Sequence, residues 1–130
     1  NEQDKINIKY GIKVVKALGE LDIGQAAIIQ NGVILGVEGV EGTDNLIKRC
    51  KELKFKGRGG VLVKLKKPQQ EPRVDLPTIG LQTLEEAKKA GLEGIAYQAQ
   101  ATLIAGGQEM ISKANDLGLF LLGLDEEDLK

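Results

Sequence analysis

Residues 26–38 read Ala26-Ala-Ile-Ile-Gln-Asn-Gly-Val-Ile-Leu-Gly-Val-Glu38, two apolar runs separated by an Asn-Gly pair. Such a pair favours a type I′ turn, because both central residues of that turn need a positive φ. The segment is therefore predicted to form a β-hairpin. Since both runs are apolar at successive positions, we expect other parts of the protein to cover the hairpin on each face.

A helix is predicted before the hairpin, over residues 4–19. Its apolar positions recur at helical spacing, at Ile8, Ile12, Val15 and Leu18. Gly11 interrupts this pattern and favours a start nearer residue 8. Gly19 is the expected stop, because glycine commonly follows the last turn of a helix.

Three further helices are predicted after the hairpin. Thr43 is the expected N-cap of the first of them. Thr83 and Glu86 have the spacing of a capping box, in which each side chain satisfies a backbone amide near the other. The last helix covers residues 108–117 and has Gly118 in the stop position.

Strands are predicted between these helices. Val61-Leu-Val-Lys-Leu-Lys66 places Lys64 and Lys66 on one face, which we expect to be solvated. Ile95-Ala-Tyr97 and Thr102-Leu-Ile104 are predicted as short strands, and Leu119-Phe-Leu-Leu-Gly-Leu124 as a buried one. The fold class predicted for residues 1–130 is therefore α/β, a single domain with a mixed β-sheet flanked by helices.

Composition excludes several classes of function. The 130 residues contain no histidine, which removes Ser-His-Asp and Cys-His catalysis and histidine-ligated zinc. Cys50 is the only cysteine, so there is no disulfide framework and no thiolate zinc cluster, and a reduced cytosolic compartment fits best. A net charge of −1 with few aromatic residues argues against a nucleic-acid partner.

The ends of the chain also carry information. No apolar run approaches the roughly 20 residues of a membrane span, and the N-terminus has no signal-peptide core. The chain does not begin with methionine. We therefore expect a fragment or a processed piece of a longer protein, and whether a partner domain is missing stays open at this point.

The segment Lys64–Gly80 is the first candidate site. Two prolines, Pro72 and Pro77, push the residues before them toward extended backbone. In an extended segment Arg73 and Asp75 point to the same side, which suits a phosphate ligand beside an acid/base or metal-binding group. The alternative is a solvated loop that contains an ordinary ion pair.

The second candidate site is the polar run Glu38–Asp44, between a predicted strand and a predicted helix. Backbone amides at a helix N-terminus attract anions, and Gly42 allows a ligand to approach the backbone closely. Glu41 and Asp44 offer the oxygen ligands that Mg²⁺ prefers. The simpler alternative is that Thr43 caps the helix and Asp44 complements its dipole.

Several motifs together resemble a known enzyme family. They are Ile23-Gly-Gln25, Gly36-Val-Glu-Gly-Val-Glu-Gly-Thr-Asp44, Gly60-Val-Leu-Val-Lys64, Lys67-Pro68, Arg73-Val-Asp-Leu-Pro-Thr-Ile-Gly80, Gly91-Leu-Glu-Gly-Ile-Ala96 and Thr102-Leu-Ile104. In this order and spacing they resemble the C-terminal half of the UDP-2,3-diacylglucosamine pyrophosphatases that are unrelated to metallophosphoesterases. The resemblance runs from about Gly11 to Leu124.

The resemblance implies an activity. Members of that family hydrolyse the pyrophosphate of UDP-2,3-diacylglucosamine to UMP and 2,3-diacylglucosamine 1-phosphate, with Mg²⁺, in lipid A biosynthesis at the cytoplasmic face of the inner membrane. The enzyme has two domains that enclose the lipid. The implied partners of this chain are thus the UDP-linked diacylated glucosamine and the absent N-terminal domain, and pairing of two copies of the chain stays open.

The resemblance also suggests roles for particular residues. Asp75 is the expected catalytic residue, either as a ligand of Mg²⁺ or by orienting the attacking water. From their chemistry, we expect the metal to be held by Asp75, Asp44 and Glu41. The expected substrate-binding residues are Thr43, Lys64, Lys67, Gln70, Arg73 and Thr78.

Some positions depart from the family pattern. Gln70-Glu71 replaces the usual Gln-Asp, and Gln98-Ala-Gln100 replaces the expected Glu-Ala-Gly. Two functions of other classes compete with the enzyme. One is a non-catalytic module that binds a nucleotide or sugar phosphate, and the other is a structural or oligomerisation domain.

Overall fold

The computed structural model describes residues 1–56, 59–66, 78–99, 103–104 and 107–130. The helices within these ranges are α1 (Glu2–Glu20), α2 (Thr43–Lys51), α3 (Leu81–Lys89) and α4 (Gln108–Leu117). The strands are β1 (Ala26–Gln30), β2 (Val33–Val37), β3 (Val61–Lys64), β4 (Thr78–Ile79), β5 (Gly94–Gln98), β6 (Leu103–Ile104) and β7 (Phe120–Leu124). None of the described helices is both long and apolar enough to span a membrane.

Five strands form one mixed sheet in the order β2-β1-β3-β5-β7. β1 is antiparallel to both β2 and β3, whereas β3, β5 and β7 are parallel. β4 and β6 form a separate parallel pair. The sheet and its flanking helices confirm the predicted α/β class, but the β4–β6 pair was not predicted.

The Asn-Gly hairpin is present as predicted. Asn31 and Gly32 have φ values of 53° and 75°, the positive values that a type I′ turn needs. The Gly32 amide donates to Asn7 Oδ1 of α1 at 2.9 Å, which ties the turn to that helix. β1 is buried throughout, but β2 lies at the edge of the sheet and exposes Val33 and Ile34. The expectation of cover on both faces therefore holds for β1 and is wrong for β2.

Alternating residues of the central strands contribute to two hydrophobic cores, one on each face of the sheet. Ile28, Leu62 and Ile95 pack toward α2, α3 and α4. Ile29 and Val63 face the opposite way, toward α1. The described residues therefore form three layers, with one helix on one face of the sheet and three on the other.

Helix α1 is longer than the sequence predicts. It begins at Glu2, because Asn1 accepts a hydrogen bond from the Asp4 amide in a capping box. It continues through Gly11 and ends at Glu20, just past the predicted stop. α4 has the predicted bounds, and Gly118 follows it in the left-handed conformation with φ 71°.

The predicted caps of α2 and α3 are wrong. Gly42 is the N-cap of α2, and Thr43 is already inside the helix. Gly80 is the N-cap of α3, so that Thr83 lies in the first turn and accepts from the Gly80 amide at 3.4 Å. In each case a side chain that could cap the helix has a different partner, described below.

Strand β7 differs from its predicted character. It begins at Phe120 and forms the other edge of the five-stranded sheet. Leu122 is exposed, whereas Leu124 is buried. The prediction of a buried strand is therefore wrong for most of its length, because an edge strand in this sheet is covered less completely than a central one.

Candidate functional site

The carboxyl ends of β3 and β5 lie beside the start of β1 and the N-terminal turns of α2 and α3. Lys64, the last residue of β3, is paired with Ala26 on one side and Tyr97 on the other. Ligands of α/β proteins bind preferentially outside the carboxyl ends of parallel strands, where helix N-termini also converge. We call this edge the carboxyl edge of the sheet.

Lys64 is buried at the carboxyl edge, with 8% of its surface exposed. Its side chain lies on the same face as that of Leu62, toward α2 and α3, because side chains two residues apart on a strand share a face. The expected solvated position is therefore wrong. Burial lowers the pKa of Lys64, and the nearby carboxylates of Glu38 and Asp44 act in the opposite direction.

Glu38 is a second buried charged residue at this edge, with 7% of its surface exposed. Its Oε1 accepts from the Gln25 amide at 2.9 Å, and its Oε2 accepts from Thr43 Oγ1 at 2.5 Å. Gly24 makes this approach possible, because a Cβ there would lie 2.1 Å from the carbonyl oxygen of Glu38. The carboxylate thus joins the start of β1 to the start of α2.

Asp44 links the first turns of two helices. Its Oδ1 accepts from Thr83 Oγ1 of α3 at 2.8 Å. The Thr83 hydroxyl also accepts from the Gly80 amide at 3.4 Å, which is a weak contact at that distance. The helix that follows residues 67–77 in the chain is in this way fixed against α2.

Glu41 lies nearby but is paired with Arg49. Arg49 Nη2 donates to Glu41 Oε1 at 2.6 Å and Nε donates to Oε2 at 3.2 Å, which is a bidentate arrangement. Arg49 Nη2 also donates to the carbonyl oxygen of Val37 at 3.1 Å. The hydrogen bonds from Arg49 lower the pKa of Glu41.

The comparison with known proteins matches most of this chain to one family. The family model of the LpxI C-terminal domain matches residues 1–122, which include every element at the carboxyl edge. The chain belongs to the LpxI C-terminal domain family. This finding confirms the resemblance drawn from the motifs.

One similar protein is the UDP-2,3-diacylglucosamine pyrophosphatase LpxI of Caulobacter vibrioides. The chain is 44% identical to it over 128 residues, which cover 94% of this chain and 46% of that protein. The chain therefore spans about half the length of this LpxI relative.

The structure brings together three of the predicted site residues of this LpxI domain. Thr43, Asp44 and Lys64 lie at the carboxyl edge within one polar network. The backbone of Thr78 belongs to β4, two residues before the N-cap of α3. Glu41 is also described and is paired with Arg49. Lys67, Gln70, Arg73 and Asp75 lie outside the described ranges, and their roles stay predictions.

Two residues of the network were not predicted as site residues. The sequence pattern identifies Glu38 only as part of a polar run, and Thr83 only as a member of a capping box. The signal for Glu38 was a carboxylate directly after an apolar strand and five residues before a threonine. For Thr83 no local signal exists, because its partner Asp44 is 39 residues away in the chain.

Gln98 and Lys66 lie at the same edge of the sheet, but Gln98 is on the face covered by α1. The Lys66 amide donates to Gln98 Oε1 at 3.0 Å. The two residues line a concavity of about 540 Å³ together with Leu124 and the acidic segment 125–127. A wider groove of about 660 Å³ runs along α1 and contains none of the predicted site residues.

Of the three predicted magnesium ligands of this LpxI domain, Asp44 and Glu41 lie within the described ranges and Asp75 lies outside them. Within the described residues, no group of three or more acids, cysteines or histidines is close enough to hold a metal ion. Asp44 is a suitable oxygen ligand, and one of its oxygens is held by Thr83. Ligation by Glu41 would have to compete with its ion pair to Arg49. Asp44 therefore fits a metal better than Glu41 does, and the ligand set stays a prediction.

Proposed function

We propose that this chain is the C-terminal half of an enzyme that hydrolyses the pyrophosphate of UDP-2,3-diacylglucosamine. Water adds to the sugar-side phosphorus, and the bond from that phosphorus to the bridging oxygen breaks. UMP leaves with the bridging oxygen, the other product is 2,3-diacylglucosamine 1-phosphate, and the two protons of the water pass to the products or to solvent. This step belongs to lipid A biosynthesis, in the cytoplasm at the face of the inner membrane. The name of the Caulobacter relative supports the proposal.

The single observation that carries the proposal is the burial of Lys64 at the carboxyl edge. Burying a charged lysine costs free energy, and proteins seldom bury one without a compensating anion or a functional reason. Glu38 and Asp44 compensate part of the charge. A diphosphate at this edge would interact with the Lys64 ammonium in an environment where charges are weakly screened.

Thr43 would contact the substrate through its backbone. Its hydroxyl already donates to Glu38, so that the hydroxyl proton is used within the protein. The backbone amides of the first turn of α2 have no side-chain cap. These amides and the helix dipole suit a phosphate oxygen.

The remaining roles follow from residue chemistry. Lys67 and Arg73 would hold the pyrophosphate, and Gln70 and Thr78 would contact the substrate. Asp75 would orient the attacking water or bind Mg²⁺. When bound, Mg²⁺ would neutralise charge on the phosphate oxygens, held by Asp75 with Asp44 and Glu41.

The proposal is tested by UMP release from UDP-2,3-diacylglucosamine. The full-length protein is assayed with Mg²⁺ and with a chelator, and residues 1–130 are assayed alone. We expect Mg²⁺-dependent release by the full-length protein and little release by residues 1–130, because half of the lipid enclosure is missing. No release by the full-length protein would contradict the proposal and favour a non-catalytic phosphate-binding module. Release that is equally fast in chelator would contradict the role of Mg²⁺.

A further inference from the structure

The first turn of α2 departs from the usual way in which a helix begins. Its N-cap is Gly42, with φ 88° and no side-chain hydrogen bond to the helix amides. Thr43 and Asp44 follow directly, and both are residue types that cap helices well. Neither does so here, because the Thr43 hydroxyl donates to Glu38, five residues before it in the chain, and Asp44 accepts from Thr83 of α3.

On one side of this turn lies Glu38, which uses both of its carboxylate oxygens. One oxygen holds the Gln25 amide and the other holds the Thr43 hydroxyl. A buried carboxylate loses its hydration, and an apolar residue of similar size would avoid that loss. What the carboxylate provides instead is a fixed position for Thr43 relative to β1.

On the other side lies Thr83, which is also buried. Its hydroxyl donates to Asp44 Oδ1 at 2.8 Å and thereby fixes one oxygen of that carboxylate. Valine has nearly the same shape as threonine and would fill the same volume, so packing alone does not require the hydroxyl. The hydroxyl fixes the rotation of the Asp44 carboxylate relative to α3.

We propose that Glu38 and Thr83 are positioning residues that hold Thr43 and Asp44 at the substrate-binding edge of the sheet. The inference rests on the proposed function, in which the α2 amides and Asp44 act on the diphosphate and its metal. Thr43 and Asp44 are both good capping residues, and neither caps α2. Departures of this kind from local sequence preference are expected at functional sites. Residues that orient directly acting groups typically contribute 10–100-fold to activity or metal affinity.

The first test compares Thr83→Val with Thr83→Ser in the full-length protein. We expect Thr83→Val to lower kcat for UMP release 10–100-fold while KM changes less than threefold, and Thr83→Ser to stay within threefold of wild type. Ser112→Ala removes an exposed hydroxyl from α4 and serves as the matched control. Equal kcat per folded molecule in wild type and Thr83→Val would overturn the proposal.

The second test uses Glu38, in case the Thr83 variants fold poorly. Glu38→Leu loses both hydrogen bonds, whereas Glu38→Gln can still accept from the Gln25 amide and bond to Thr43. We expect Glu38→Leu to lower kcat at least tenfold more than Glu38→Gln does. The proposal is overturned if both variants lose activity only in proportion to the unfolded fraction.

A third measurement does not depend on activity. Amide hydrogen exchange is followed in the ligand-free full-length protein for wild type, Thr83→Val and Thr83→Ser. We expect Thr83→Val to speed exchange at least fivefold in the first turn of α2 and to leave β3 and β5 unchanged, with Thr83→Ser restoring the wild-type rate. Uniform acceleration across the sheet would overturn the positioning role. If wild type releases no UMP, the proposed function fails, and this measurement alone decides whether the turn is held as described.

Discussion

Gly11 of α1 lies directly against Val63 of β3. A Cβ placed on Gly11 would come within 2.5 Å of Val63 Cγ2 and 3.1 Å of Val63 Cβ. The glycine is therefore retained in the middle of a 19-residue helix because it lets α1 approach the sheet closely. Its cost to helix stability is about 1 kcal/mol relative to alanine.

We expect Gly11→Ala to lower the free energy of unfolding by about 1–2 kcal/mol. Overpacking against a stiff β-branched side chain costs about 1–3 kcal/mol, and the gain in helix propensity offsets part of that. Urea unfolding measures the change, and Lys13→Ala on the exposed side of α1 is the control. A more stable Gly11→Ala protein would show that α1 can move away from β3 without loss.

Gly24→Ala is expected to disturb the carboxyl edge more severely. The new Cβ would lie 2.1 Å from the Glu38 carbonyl oxygen, and a backbone atom cannot move aside as a flexible side chain can. We expect a loss of at least about 2 kcal/mol in the free energy of unfolding. Gly39→Ala is the matched control, because a Cβ at Gly39 meets nothing within 4 Å. Equal stability of the two variants would contradict the described approach.

The ion pair of Glu41 and Arg49 predicts a pH dependence of stability. Because the pair lowers the pKa of Glu41, its contribution is present above the unfolded pKa of about 4.3 and is lost as the pH falls through the lower folded pKa. We expect wild type to have a higher urea midpoint than Glu41→Gln at pH 7, and the difference to be smaller at pH 3. Glu20→Gln, which changes an exposed acid of α1, is the control. A difference of equal size at both pH values would exclude a charge effect.

Lys64→Met is expected to lower kcat/KM for UMP release by about 10²-fold or more. Methionine has a similar length but no charge, and removal of one group that stabilises transition-state charge typically costs 10²–10³-fold. Lys51→Met, on the exposed side of α2, is the control. Wild-type activity in Lys64→Met would remove Lys64 from the site and leave its burial without a functional reason.

Much of the fold follows from local patterns in the sequence. The Asn31-Gly32 turn and the stop of α4 at Gly118 were predicted because both depend on a positive φ at a residue that allows it. The start of α1 was placed too late because Gly11 was interpreted as a break. The reason for that glycine is the contact with Val63, which lies 52 residues away in the chain and leaves no local signal.

The site was less predictable than the fold. Lys64 was expected to be solvated, because alternation along β3 does not show that α2 and α3 cover that face. The caps of α2 and α3 were misassigned for a related reason. Thr43 and Thr83 have the right chemistry for capping, but their hydroxyls donate to the carboxylates of Glu38 and Asp44. Tertiary contacts thus override local preference where the polar groups converge.

In the proposed function, this half of the protein carries the chemistry and Asp75 is the catalytic residue. The most direct measurement is UMP release from UDP-2,3-diacylglucosamine by full-length wild type and Asp75→Ala, with substrate binding to both measured in parallel. We expect Asp75→Ala to lose nearly all turnover while its affinity for substrate changes much less. Equal losses of turnover and of binding, or unchanged turnover, would contradict this role of Asp75.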